Sequence, residues 1–132
     1  MTRPTASEGS RVVDSSVWIE HLSGGARADV CRSALSDESL VITPAQVLYE
    51  VYRWTRRHCG ESVAMEVVGH MEYTRLVPGD VTVAIVAVDV SLDHGLSAAD
   101  AVVYATARLA AADLVTLDAD FRGLPGVTLL GE

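Results

Sequence analysis

At 132 residues and 14.0 kDa, with 49% apolar and 21% charged residues, the chain has the size and composition of one globular domain, not of a disordered segment. Ten basic residues against 18 acidic ones give a formal charge of −8, which excludes nucleic-acid binding by bulk positive charge. All ten basic residues are arginine, so chemistries that need a lysine (P-loop phosphate binding, Schiff-base catalysis, receiver-domain phosphotransfer) are excluded too.

Residues 1–10 (MTRPTASEGS) read as a loose polar tail without the apolar core of a secretory signal, and residues 11–132 as a single domain. Arg11-Val12-Val13 is a short apolar run with the character of a buried strand, ended by Asp14. A helix follows from Ser15, stopped by Gly24-Gly25. A second covers 26–36, with Val30, Ala34 and Leu35 expected on its inner side. Leu40-Val41-Ile42 is the next strand, and Thr43-Pro44 opens a helix that runs to Cys59 and ends at Gly60. Another helix covers 61–73, Arg75-Leu76-Val77 is a strand, and 80–94 is a helix ending at Gly95. Ser97 to Ala112 is the strongest helix, followed by strands at Leu114–Leu117 and Val127–Leu130.

The most apolar stretch, Val81 to Val88, is bounded by Asp80 and Asp89 and is far shorter than the ~20 residues of a membrane span, so no membrane association is expected. Cys31 and Cys59 are too few for a disulfide framework and lack metal-ligand spacing; free thiols in a reduced, cytoplasmic setting are expected. No GxGxxG is present. Short apolar strands alternating with helices predict an α/β domain with a mostly parallel sheet, in which ligands bind beyond the carboxyl ends of the strands at a switch point.

The carboxylates fall at such places. Asp14 is the first residue beyond the first strand, where an ordinary role is to cap the next helix. Asp100 closes a capping box, Ser97-Ala98-Ala99-Asp100. From Ala98 to Ala112 only Asp100 and Arg108 are charged, so the helix reads as buried around most of its circumference. A carboxylate in its first turn then faces a walled site and needs a partner. Glu50 lies mid-helix, with Arg53 at i+3 as an ordinary ion-pair partner worth ~0.2–0.5 kcal/mol. Asp118 and Asp120 could be turn residues. Asp120, two residues past the strand, is ~6–7 Å further along an extended chain, out of direct reach of an ion at Asp118 unless the loop folds back. Together, however, Asp14, Asp100 and Asp118 can converge on one sheet edge, with Glu50 reaching across. At ~5 Å and an effective dielectric of ~20, each pair repels by roughly 3 kcal/mol. Such a cluster calls for protonation or a hard divalent cation, and oxygen-only ligands favour Mg²⁺ or Mn²⁺ over zinc.

Asp14-Ser15-Ser16-Val17-Trp18-Ile19, Val47-Leu48-Tyr49-Glu50-Val51, Gly95-Leu96-Ser97-Ala98-Ala99-Asp100-Ala101 and Leu114-Val115-Thr116-Leu117-Asp118 resemble, in that order, the motifs of PIN-domain nucleases. The likeness runs from Val12 to Phe121 and is strongest to VapC-type toxins of bacterial and archaeal toxin–antitoxin pairs. The resemblance implies a PIN-like three-layer sandwich, with a mostly parallel sheet flanked by helices. It also implies a Mg²⁺- or Mn²⁺-dependent endoribonuclease acting on RNA, neutralised by a cognate antitoxin and forming a homodimer. Asp14, Glu50, Asp100 and Asp118 match the catalytic, metal-holding quartet; Ser16 and Thr116 match its small hydroxyl positions, and Asp120 would support the site through water. Trp18 is bulkier than the aliphatic residue usual in the family.

The chemistry agrees with the residues, since carboxylate-held metals activate water and relieve phosphate charge. The four histidines, His21, His58, His70 and His94, accompany no nucleophile motif and read as surface or boundary residues. With the global charge negative, RNA would have to be held locally, and Arg53, Arg56 and Arg57 are the candidates, against an ordinary solvated face with internal ion pairs. Trp18, Leu22, Val51, Trp54 and Met65 are expected to form an apolar groove for an antitoxin segment. Two alternatives stand beside the nuclease: a catalytically silent PIN-like binding module, and an Asp-x-Asp phosphatase built on Asp118-Ala119-Asp120, a chemistry that normally also uses a lysine.

Overall fold

The computed structural model describes residues 9–131. The expected tail therefore lies outside the described residues except for Gly9 and Ser10, which lead directly into the first strand. In chain order the elements are β1 (Arg11–Val13), α1 (Ser15–Ser23), α2 (Ala28–Leu35), β2 (Val41–Pro44), α3 (Ala45–Cys59), α4 (Glu61–Met71), β3 (Arg75–Val77), α5 (Val81–His94), α6 (Ala98–Leu109), β4 (Asp113–Thr116) and β5 (Val127–Leu129). Short 3-10 turns cover Glu38–Leu40 and Ala119–Phe121.

The five strands form one fully parallel sheet in the order β3-β2-β1-β4-β5, flanked by the helices that carry the crossovers. From β1 the chain steps outward to β2 and β3, then returns to the other side of β1 for β4 and β5. The switch point thus lies between β1 and β4, where Val12 pairs with Leu114 and Val13 with Val115. The core is Val-rich, as strands covered on both faces require: Val12, Val13, Val41, Ile42, Leu114 and Val115 are buried. Buried Ala101, Val103, Tyr104, Ala105, Thr106 and Ala107 confirm α6 as a nearly all-round buried helix.

Local signals set the helix ends. Gly24 and Gly95 close α1 and α5 at φ 68° and 71°, a backbone state that glycine adopts without Cβ strain. Asp80 caps α5 by accepting from the Val83 N–H at 2.9 Å, and Ser97 caps α6 by accepting from Asp100 N–H at 3.3 Å. Arg11 ties β1 to the end of α2 by donating to the Ala34 carbonyl at 2.6 Å and to the Ser36 carbonyl.

Two expectations need correction. Val30 is 42% exposed, and the inward stripe of α2 is Cys31, Ala34 and Leu35. Ala34 and Leu35 face inward as expected, and Cys31, at i, i+3, i+4 spacing with them, takes the place expected of Val30. The five-residue groove also does not exist as one surface. Val51 is fully buried in the core, Trp54 lines a groove on α3, and Met65 stands exposed on α4. Both cysteines are free, Cys31 buried and Cys59 exposed. Among the described residues no single helix is long and apolar enough to cross a membrane.

Phe121, the only phenylalanine in the chain, is fully buried and plugs the turn after β4 into the core. Phe121→Ala is expected to lower the unfolding free energy in urea by about 3–5 kcal/mol, the usual cost of emptying a large aromatic site. Phe121→Leu, which keeps most of the volume, should cost far less; equal losses would mean that the plug does not act by filling space.

Candidate active site

Asp14 follows β1 and stands at the N-cap of α1, but its side chain makes no capping bond. It is only 5% exposed, and its Oδ2 accepts from Ser16 Oγ at 2.9 Å and from Thr116 Oγ1 at 2.8 Å. Each hydroxyl also accepts a backbone N–H, that of Leu117 on Ser16 Oγ at 3.1 Å and that of Asp118 on Thr116 Oγ1 at 2.9 Å. With both hydroxyl protons committed to Asp14, the 3.3 Å approach of Ser16 Oγ to Thr116 Oγ1 is a packing contact. β1, the first turn of α1 and the end of β4 are thereby locked around one carboxylate.

The chain turns back immediately after β4. Asp118 Oδ1 accepts the Asp120 N–H at 2.9 Å, an Asx-type turn that winds Ala119–Phe121 into a 3-10 turn. The fold-back brings Asp120 beside Asp118 and Asp100. One carboxylate oxygen from each of these three lies within 4.8 Å of the others, the one such group among the described residues. Asp120 thus joins the site more intimately than an extended loop would allow. The sequence signal that gives this away is Phe121, an apolar anchor three residues after Asp118 that pulls the loop inward. Asp100 arrives from the first turn of α6, so its helix-capping context and its place in the cluster coexist.

Glu50 projects from α3, half-buried, with the Ser15 and Gln46 side chains favouring its ionised form. It lies outside the tight group of three, as does Asp14, yet both feel the charges of the others. The ordinary ion pair with Arg53 does not form among the described residues.

Three of these carboxyls are held above the usual carboxylate range. For Asp14 burial is the main cause, offset in part by the Thr116 and Ser16 hydroxyls and reinforced by the charge of Asp118. Burial also leads for Glu50, against the bonds from Ser15 and Gln46 and with the charges of Asp14 and Asp100. Asp100 is raised first by burial and then by the charges of Asp118, Asp14 and Asp120. The cluster is a set of like charges crowded at the carboxyl edge of β1 and β4. An oxygen-only donor set of this kind fits a hard divalent cation, and Asp100, Asp118 and Asp120 are the side chains that could hold one.

Residues 11–127 match the model of the PIN domain family. Comparison with curated proteins gave no match. Several solved structures share the fold. A toxin–antitoxin complex from Klebsiella pneumoniae superposes with a TM-score of 0.79 at 22% identity, covering 90% of this chain and 96% of that one. VapC20 of Mycobacterium tuberculosis, described as a sarcin–ricin loop cleaving toxin, gives 0.74 at 24% identity over 89% of this chain and 97% of that one. DNA-bound VapBC from Salmonella typhimurium gives 0.71 at 13% identity over 91% and 96%.

A carboxyl whose folded pKa is raised disfavours folding once it is ionised. The cost is absent below the unfolded value near ~4, grows as pH rises toward the folded value and is complete above it. In EDTA, Asp100→Asn is therefore expected to melt a few degrees above the wild type near pH ~7, the gap closing toward pH ~3.5. With Mg²⁺ added the order should invert, because the wild type alone regains a full ligand set. Thermal melts over that pH range check this; a variant less stable in EDTA near neutral pH would contradict the cluster's electrostatic cost.

Proposed function

The chain belongs to the PIN domain family, and from that premise we propose that it is a metal-dependent endoribonuclease, the toxin of a VapBC-type toxin–antitoxin pair. The observation that supports this most is the approach of Asp100, Asp118 and Asp120 within 4.8 Å, beside buried Asp14 and half-buried Glu50, at the switch point of the sheet. Mg²⁺ or Mn²⁺ held by Asp100, Asp118 and Asp120, with Asp14 and Glu50 alongside, would supply an activated water and charge relief at the scissile phosphate.

The protein's own groups fill the remaining roles. Asp14 is fixed by Ser16 and Thr116, both of which donate to its Oδ2, so its other oxygen is not engaged by these two hydroxyls. Glu50, half-buried beside the cluster, is held above the ordinary carboxylate range by burial and by the charges of Asp14 and Asp100, and a bound cation would offset that cost. Asp118 both faces the cluster and anchors the Asp120 turn.

Two surfaces support the partner assignments. A groove of about 350 Å³ between α1, α2 and α4 is lined by Trp18, Leu22, Leu35 and Val67, and the buried Trp18 Nε1 and His21 Nδ1 have no hydrogen-bond partner there. The apolar part of this lining suits the apolar side chains of an antitoxin segment. On α5, Val81, Ile85, Val88 and Leu92 form one stripe at 4-3-4 spacing and are 58–80% exposed, the pattern of a helix face that a homodimer would cover.

Purified protein is expected to cleave RNA in Mg²⁺ and to lose the activity in EDTA, with Asp118→Asn reducing cleavage at least ~100-fold. Because the turn folds back, Asp120→Asn should lose nearly as much. Cleavage that persists in EDTA, or in both variants, would refute the assignment. For the α5 face, sedimentation equilibrium should find a dimer that Ile85→Asp converts to a folded monomer; a wild-type monomer at micromolar concentration would remove the dimer.

A further inference from the structure

A pocket of about 280 Å³ opens at the carboxyl ends of β4 and β5, the same edge of the sheet that carries the acidic cluster. Leu117 and Ala119 belong to its wall, so Asp118, a member of the cluster, lies between two residues of the pocket. Leu129, Leu130 and Gly131 also line it. They are kept beside β4 by the Leu130 N–H, which donates to the Thr116 carbonyl at 2.8 Å.

Two arginines complete the pocket, and no carboxylate lines it among the described residues. Arg27 enters from the turn between α1 and α2. Its N–H donates to Glu20 Oε2 at 2.9 Å, and the Glu20 carboxylate fits against Gly25, where a Cβ would collide with it. The Arg27 side chain lies across Gly131, where a Cβ would come 2.8 Å from Nε and 3.0 Å from Cζ. Its backbone is thus fixed, while its guanidinium makes no ion pair among the described residues. Arg122 enters from the turn after β4. Its N–H donates to the Ala119 carbonyl at 3.0 Å, and the fully buried Phe121 immediately before it sets where the chain emerges. Arg122 also interacts within the chain, but a guanidinium presents five N–H donors, so that engagement does not spend the group.

Two guanidinium groups in one pocket, in a chain of net charge −8, select for an anion. Their planar forks match the oxygens of a phosphate. The half-buried Leu117, Leu129 and Leu130 give the pocket an apolar wall, which suits a ribose or a base edge better than a second charge. An RNA linkage hydrolysed at the cluster has a further phosphate on each side, and the pocket adjoins the cluster at Asp118. We propose that Arg27 and Arg122 hold a backbone phosphate next to the one being cleaved, and so set which linkage lies over the acids. The proposal rests on the ribonuclease reading and adds to it a phosphate subsite on the β5 side of the cluster. Phosphate contacts of this kind fix register without reading sequence.

The test first maps the cleavage site of the wild type on a fluorescent RNA in Mg²⁺. Affinity is then measured on the full chain carrying Asp100→Asn, which removes a carboxylate of the cluster and leaves every residue of the pocket in place. The ligands are this RNA, copies with one uncharged methylphosphonate linkage on either side of the mapped one, and a polyglutamate peptide. Neutralising one of the two flanking linkages is expected to weaken binding about tenfold. Arg27→Ala should weaken the fully charged RNA by the same factor, with no further loss when the two changes are combined. Arg27→Ala and Arg122→Ala should each lower the slope of log affinity against log salt by about one, and Arg27→Lys should restore it. Arg75→Ala, on β3 at the opposite edge of the sheet, should change nothing. Losses that add in the combination, an unchanged salt slope in Arg27→Ala, or weakening of polyglutamate but not of RNA by that substitution would each overturn the proposal. If any of these is found while the wild type cleaves RNA, the subsite is wrong and the ribonuclease stands. If the wild type cleaves no RNA under any condition, the ribonuclease reading has failed and the subsite falls with it.

Discussion

Asp14 is buried at the junction of β1 and β4, where Ser16 from the first turn of α1 and Thr116 from the end of β4 both donate to its Oδ2. Burying a carboxylate is costly unless it is bonded, and these two hydroxyls are what make the burial tolerable. Their remaining capacity is spent on the N–H groups of Leu117 and Asp118, which fixes the direction of the chain as it leaves the sheet. Asp118 then captures the N–H of Asp120, and Phe121 seats the turn in the core. From Asp14 through Thr116 and Asp118 to Asp120, successive bonds hold the segment that carries two of the three clustered acids.

That chain of bonds explains how a repulsive arrangement persists. Asp100, Asp118 and Asp120 would separate if they sat on mobile loops. Instead, Asp100 is on the first turn of a helix buried nearly all round, and the other two are on a turn pinned by a fully buried phenylalanine. Hydrophobic burial supplies the stability that the electrostatics remove, so the site is preorganised at the expense of the fold around it. The raised pKa values of Asp14, Glu50 and Asp100 are the sign of that tension.

Most of the elements were legible from local chemistry. Apolar runs ended by Asp14 and Asp118, the caps Asp80 and Ser97, and the glycines after α1 and α5 act within a few residues, so the sequence displays them directly. What it did not display was phase and distance. Periodicity revealed that α2 has an inner face but not that Cys31 rather than Val30 sits on it. It could not reveal that Val51 is sealed in the core while Trp54, three residues later, lines a groove. Asp14 occupies the cap position its residue type favours, yet its carboxylate bonds to a threonine 102 positions away, a partner no local rule can name. Asp120 lies ~6–7 Å beyond Asp118 only on an extended chain, and the Asx turn at Asp118 folds the loop back instead.

The net charge of −8 and the arginines Arg53, Arg56 and Arg57 on α3 describe different length scales. A field made by acids spread over the surface is screened within a Debye length of ~8 Å at physiological salt, whereas a phosphate touching Arg53 or Arg57 feels mainly those groups. Bulk charge therefore governs how fast a polyanion arrives, and local arginines govern whether it stays. The absence of lysine sharpens the distinction, because every cation on this surface is a planar fork that can grip a phosphate bidentately and lie flat against an aromatic ring. A strongly acidic protein can thus carry a local group of arginines close to a cluster of carboxylates. On α3 the change of sign takes place between Glu50 and Arg53, within a single helical turn.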